Sequence, residues 1–225
     1  MMAASEEAAG GENAYIPVRV RWFDDLTASV APTMRQVVVL GAGLDTRPYR
    51  LDVPAELDWY EVDRPDVFAA KQQVMADHVP RCRRQVVEGD LAADWGSALV
   101  GAGIGRDAPT LWLAEGLFFY LTADMIAGML RDAAALCGPG SVFAADVTGT
   151  AGLDSPVMAR YRAWCADNDV PPPFGTDDPI ALFEAGGWRI EHVTAPGAPD
   201  ANYGRLAAQR DGVVPGRTHL VVGRR

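Results

Sequence analysis

Short runs rich in β-branched, aliphatic and aromatic residues, each closing near a glycine or an acid, alternate with helical patterns from residue 36 to residue 147. The runs span 36–41, 57–63, 84–90, 110–116 and 141–147. Runs of this kind, apolar almost throughout, fit strands buried on both faces of a parallel sheet. Helical patterns at 65–78, 94–100 and 122–136 separate them. The last offers Thr122 as N-cap, apolar positions at Met125, Ile126, Met129, Leu130, Ala133 and Leu136, and a Gly138-Pro139 stop. Parallel neighbours need crossover helices, so the alternation predicts a doubly wound α/β fold.

The remainder of the chain departs from that rhythm. A helical patch at 156–167 precedes Pro171-Pro172-Pro173-Phe174-Gly175, which cannot be regular structure. A second helical pattern starts at Pro179. Two alternating runs, 188–193 and 218–224, are expected to close the sheet as a late antiparallel hairpin, giving seven mostly parallel strands. The reading is a tail over 1–14 and a single domain over 15–225, with an irregular insert at about 149–180.

Charge narrows the partners. The chain has 225 residues with a formal net charge of −10, Lys71 is its only lysine, and no basic run occurs. Its field repels phosphate backbones and anionic lipid, which excludes nucleic acid as a main partner. Cys82, Cys137 and Cys165 form no CxxC, so neither a disulfide framework nor a metal site is expected. The opening residues lack the cationic and apolar regions of a signal peptide, and no apolar stretch is long enough to span a bilayer. The expectation is a cytoplasmic protein, monomeric or homodimeric, handling a small molecule.

Ligands of doubly wound sheets bind at the carboxyl ends of the strands. Those ends carry Gly41-Ala42-Gly43-Leu44-Asp45, then Glu61 and Asp63, then Asp90-Leu91, then Glu115-Gly116, then Asp146. Gly41 and Gly43 permit a tight turn and close approach to a ligand, but the third glycine of a dinucleotide fingerprint is replaced by Thr46. Asp63 stands about 20 residues beyond the glycines, where a carboxylate can take both ribose hydroxyls. An acidic mouth suits a ligand that lacks phosphate and carries positive charge, such as S-adenosyl-L-methionine. A NAD(P)-dependent oxidoreductase on the same fold is the less favoured alternative.

The run VVVLGAGLDTRPYRL, followed by WYEVDRPDV and LWLAEGLFFYL, resembles the leucine carboxyl methyltransferase family. The resemblance begins at Tyr15, with Arg19 and Arg21 on a helix ahead of the first strand, and runs to Asp146. It implies a Rossmann-like, S-adenosyl-L-methionine-dependent methyltransferase, with relatives that O-methylate polyketides and other small acids or phenols. By the same resemblance, Arg19 or Arg21 would hold the cofactor's carboxylate, and Gly41, Gly43 and Asp45 would line its methionine part. Asp63 would bind the ribose, Asp90 and Leu91 the adenine. Glu115 would face the amino group or methyl-bearing end and is the candidate catalytic residue. The resemblance departs at the front, where relatives carry a longer helical segment.

For the acceptor, the expected contacts are Phe118, Trp164 and Phe174, with Tyr161 nearby, between 149–180 and the ends of the fourth and fifth strands. No histidine falls at an expected strand end, which favours an acceptor already acidic: a carboxylate needs no base, whereas a phenol gains from one. A protein of this fold that binds cofactor without transferring methyl, as a pericyclase-like catalyst or partner subunit, is the other alternative.

Overall fold

The computed structural model describes residues 14–225 apart from positions 155, 209–211, 214 and 215, so the expected tail at 1–14 lies outside the described residues up to position 13. Seven strands form one sheet: β1 (Gln36–Leu40), β2 (Asp58–Asp63), β3 (Arg83–Glu88), β4 (Thr110–Ala114), β5 (Val142–Val147), β6 (Arg189–Thr194) and β7 (His219–Arg224). Their spatial order is β3-β2-β1-β4-β5-β7-β6. The first five run parallel, and β7 lies antiparallel to both β5 and β6. The order reverses between β1 and β4, so the cleft at their carboxyl ends is the topological switch point.

Burial explains the strand sequences. The central strands β1, β4 and β5 are buried at every position, which is why they read as unbroken apolar runs. The edge strands β3 and β6 are mostly exposed or half-buried and carry charged and polar residues instead. One face of the sheet packs Val38, Trp112, Phe143 and Trp188 against helices α4 (Trp95–Gly101), α5 (Ala123–Ala135) and α8 (Pro179–Ala185). The other packs Val37, Trp59 and Leu113 against Trp22 and Phe23 of α1 (Tyr15–Val30) and Phe68 of α3 (Pro65–Met75). Thr122 caps α5 by accepting from Met125 N, while Asp94 and Asp178 cap α4 and α8 in the same way.

Short pieces fill several connections, among them a 3-10 turn (Ala31–Thr33) between α1 and β1. A one-turn helix, α2 (Arg47–Arg50), follows the glycine turn; a 3-10 turn (Phe118–Tyr120) follows β4; and α6 (Thr150–Leu153) precedes α7 (Pro156–Asp167). Among the described residues no helix is long and apolar enough to cross a membrane. All three cysteines are buried and unpaired as thiols.

Candidate active site

The glycine turn leaves β1 along the path of β2: Gly41 N and Ala42 N both donate to Val62 O, at 2.9 and 3.1 Å. Gly41 has φ +65°, and a Cβ there would lie 2.9 Å from Leu117 Cδ1, so only glycine fits. Gly43 N then donates to Asp63 Oδ2 at 2.7 Å, while Asp63 Oδ1 accepts from Arg64 N at 2.8 Å. Asp63 is thereby fixed at the end of β2, beside the turn. Asp45 accepts from Arg47 N at 2.8 Å, closing the turn into α2.

Across the switch point, the end of β4 presents Glu115 to two arginines. Arg19 Nε lies 3.0 Å from Oε1 and Arg47 Nη2 lies 2.5 Å from Oε2. Arg19 also reaches Asp146 Oδ2 at 3.3 Å, and Tyr15 O–H donates to that oxygen at 2.9 Å. The other oxygen of Asp146 accepts from Gly116 N at 2.5 Å. Gly116 has φ +65°, and a Cβ on it would approach both Arg19 Nη atoms to 3.0 Å; the glycine is what admits the guanidinium. Arg47 further binds Asp24 Oδ1 at 2.8 Å and Asp45 Oδ2 at 3.1 Å, and Arg50 grips both oxygens of Asp24.

The electrostatics follow from this packing. Burial opposes charge on Arg19, but Asp146, Tyr15 and Glu115 outweigh it and hold the guanidinium more firmly protonated than usual. Burial likewise opposes charge on Arg47 and is outweighed by Asp45, Glu115 and Asp24. Tyr15 is pushed well above the ordinary phenol range, first by burial and then by Asp146, so its hydroxyl serves as a donor and not as a base. Two arginines, Arg19 and Arg47, face four carboxylates, Asp24, Asp45, Glu115 and Asp146. Even with Arg50 added the cluster keeps an excess of negative charge beside the glycine turn.

The remaining expected residues divide. The structure brings Arg19 to the strand ends, whereas Arg21 points away from them, exposed, paired with Asp25 at 2.8 Å and lying over the Tyr203 ring. The two are separated by about 200° around the helix, so they cannot share one face. Asp90 is exposed and accepts from Ala92 N at 2.9 Å, and Leu91 packs partly against the core. Phe118, expected as an acceptor contact, is instead 1% exposed between Phe143 and Phe183, because its 3-10 turn directs it under the sheet end. Its neighbours take the outward position: Tyr120 meets Phe119 at 5.0 Å, Phe119 stacks on Tyr161 at 5.6 Å, and Tyr161 stacks on Trp164 at 5.9 Å. Trp164 is 51% exposed. Phe174 is half-buried against the core and its N–H donates to Phe119 O at 3.1 Å.

Three participants were not anticipated from sequence. Arg47 closes the turn after the first strand but carried no expected role, and Asp24 lies in no strand end; the surplus of acids at those ends is the signal that calls for buried cations there. His219 opposes Val147 in the sheet, because β7 runs antiparallel and starts where β5 ends. A histidine therefore does sit at the mouth end of the sheet, buried, close enough to Asp177 to help lower that carboxyl's pKa behind the larger effect of Thr150. The expectation of none counted only the ends of parallel strands.

The model of the family described as leucine carboxyl methyltransferase matches residues 2–134. A candidate S-adenosyl-L-methionine-dependent methyltransferase from Parafrankia sp. (strain EAN1pec) is 48% identical over 132 residues, covering 57% of this chain and 43% of the relative. Another, from Mycolicibacterium vanbaalenii, is 36% identical over 219 residues, covering 92% of this chain and 69% of the relative. The crystal structure of a candidate methyltransferase from Thermobifida fusca YX shares the fold, with a TM-score of 0.65 at 16% identity over 99% of this chain and 87% of that one. The chain spans about half the length of several curated relatives it matches.

Proposed function

The chain belongs to the leucine carboxyl methyltransferase family, and from that premise we propose that it is an S-adenosyl-L-methionine-dependent methyltransferase acting on a carboxylate or hydroxyl of a small molecule. The observation that carries this reading is the acid-rich ion cluster at the switch point, where Glu115 and Asp146 stand beside a glycine turn and Arg19 spans them. The donor set fits the cofactor. Glu115 and Asp146 supply acceptors for an ammonium, Arg19 supplies a fork for a carboxylate, and Asp63 supplies acceptors for a ribose. A pyrophosphate would face the same carboxylates with like charge, which disfavours a dinucleotide.

The cofactor supplies a methyl group on a sulfonium. The protein's part is to fix the amino-acid end through Arg19, Glu115 and Asp146, to hold the ribose through Asp63, and to exclude water around the reacting pair. The aromatic series Tyr120, Phe119, Tyr161 and Trp164, edge-to-face at its first contact and stacked at the next two, leads from the turn after β4 to α7, which supports an aromatic or polyketide-like acid or phenol as acceptor. A carboxylate acceptor requires no base there.

Incubation with methyl-labelled S-adenosyl-L-methionine and a panel of aromatic acids and phenols tests the reading by mass shift. Labelled product from at least one panel member is expected. Tight cofactor binding with no transfer to any acid, phenol or water-derived product would leave a binding protein in place of an enzyme.

A further inference from the structure

We propose that Arg47 is a positioning residue for the amino-acid end of the methyl donor: it fixes Glu115 from behind, while Arg19 on the opposite oxygen is the partner that exchanges. The inference rests on the cofactor reading above and goes beyond it by giving the two arginines unequal parts.

The geometry separates them. Arg47 is 3% exposed, and its guanidinium engages Glu115 Oε2 at 2.5 Å, Asp24 Oδ1 at 2.8 Å, Asp45 Oδ2 at 3.1 Å and Val20 O at 3.4 Å. Its flat side lies 5.7 Å from the centre of the Phe23 ring. Withdrawing it would leave three largely buried carboxylates short of a cation at once, a strongly unfavourable outcome. Its backbone is fixed as well, since Arg47 N donates to Asp45 Oδ1 at 2.8 Å within the glycine turn. One side chain thus ties α1, the turn after β1 and the end of β4 into a single frame.

Arg19 is held differently. Its side chain is 20% exposed, and it reaches the other oxygen of Glu115 at 3.0 Å and Asp146 at a longer 3.3 Å. Should an ammonium arrive at Glu115 Oε1, Arg19 can turn to an incoming carboxylate while the ammonium replaces its charge. Glu115 then keeps two cationic partners, and it does not move because Arg47 still holds Oε2. A planar fork with five donors suits this multi-partner role, and an ammonium on a flexible stem does not reproduce it.

Two probes that differ only at the amino-acid end make the test. S-adenosyl-L-homocysteine carries the ammonium and carboxylate; 5′-methylthioadenosine has the same nucleoside and thioether and neither charge. Both are titrated calorimetrically into the full chain and into Arg47→Met and Arg47→Lys. Arg47→Met is expected to weaken S-adenosyl-L-homocysteine about 10- to 100-fold, the scale for a lost charged hydrogen bond, and 5′-methylthioadenosine by less than about threefold. Arg47→Lys should fall between wild type and Arg47→Met for the first probe alone. Should Arg47→Met not fold, Asp24→Asn, which loosens Arg47 from behind, should show the same selectivity at smaller size. Equal losses for both probes, or no loss for either, would overturn the positioning role. A wild-type chain that binds neither probe would overturn the cofactor reading itself, an outcome visible before any variant is made.

Discussion

The mouth of the sheet and the segment that follows β5 are built on opposite principles. At the mouth, α1, the glycine turn and the ends of β4 and β5 converge, and every carboxylate is held by an arginine, a backbone N–H or a tyrosine hydroxyl. The segment at 149–180 consists of α6, α7 and a proline run, largely exposed. Asp177 accepts from Thr150 N at 3.1 Å, from Thr150 O–H, and from Gly216 N at 2.8 Å, and Phe174 N bonds to Phe119 O. Binding groups held by a rigid scaffold keep their geometry before the ligand arrives, whereas a segment with few ties can adapt to different ligands. Under the proposed function, the first suits a fixed methyl donor and the second an acceptor.

The sharpest break in that comparison comes from Glu115. Glu115→Ala leaves Arg19 and Arg47 facing each other without their shared carboxylate, so a stability loss of about 3–5 kcal/mol is expected, together with loss of cofactor binding. Denaturant unfolding and calorimetry on the same preparation check both. A variant as stable as wild type would mean that the cluster contributes nothing to the frame. Next in size is Asp63→Ala, which should weaken the cofactor by about 1.5–3 kcal/mol while the sheet survives. Since Gly43 N donates to Asp63, part of that loss would come from the turn itself. Unchanged affinity would remove Asp63 from the ribose.

The acceptor side should respond separately. Trp164→Ala is expected to raise the acceptor KM and to leave cofactor affinity nearly unchanged, with stability altered by no more than about 0.5 kcal/mol at this exposed position. Equal loss of both affinities would show that the segment is scaffold for the mouth.

How far these regions were legible in sequence follows the same division. Gly41, Gly43, Asp63 and Glu115 stand at strand ends, and strand ends are marked locally by where an apolar run stops. The helical patch at 156–167 was also readable and is α7. Pairings between distant segments were not. Arg47 meets Glu115 because the sheet order places β1 against β4, and it meets Asp24 because α1 packs over the same strands. Phe118 could not be told from Phe119 and Tyr120 as the buried ring, because a continuous apolar run has no period to orient it. His219 required knowing the direction of β7.

A separate expected effect is alkaline. Burial, and then the nearby Glu61, push the Cys82 thiol up to about 11, and burial with Asp25 raises Tyr203 to about 12. Tyr15 is raised as well. A folded pKa above the unfolded one gives stability that is complete below the unfolded value and is lost as pH rises toward the folded one. Unfolding free energy should therefore decline from about pH 9 to 11, with the first part of that decline reduced in Cys82→Ala. A flat profile in wild type would contradict the burial of these groups.

The central claim is that an acid-rich ion cluster at the switch point is a site for a phosphate-free, cationic nucleoside. Calorimetric titration of the full chain with S-adenosyl-L-methionine, and in parallel with NADH, addresses it most directly. Saturable binding of S-adenosyl-L-methionine in the micromolar range and no heat from NADH are expected. Binding of NADH with no response to S-adenosyl-L-methionine would contradict it.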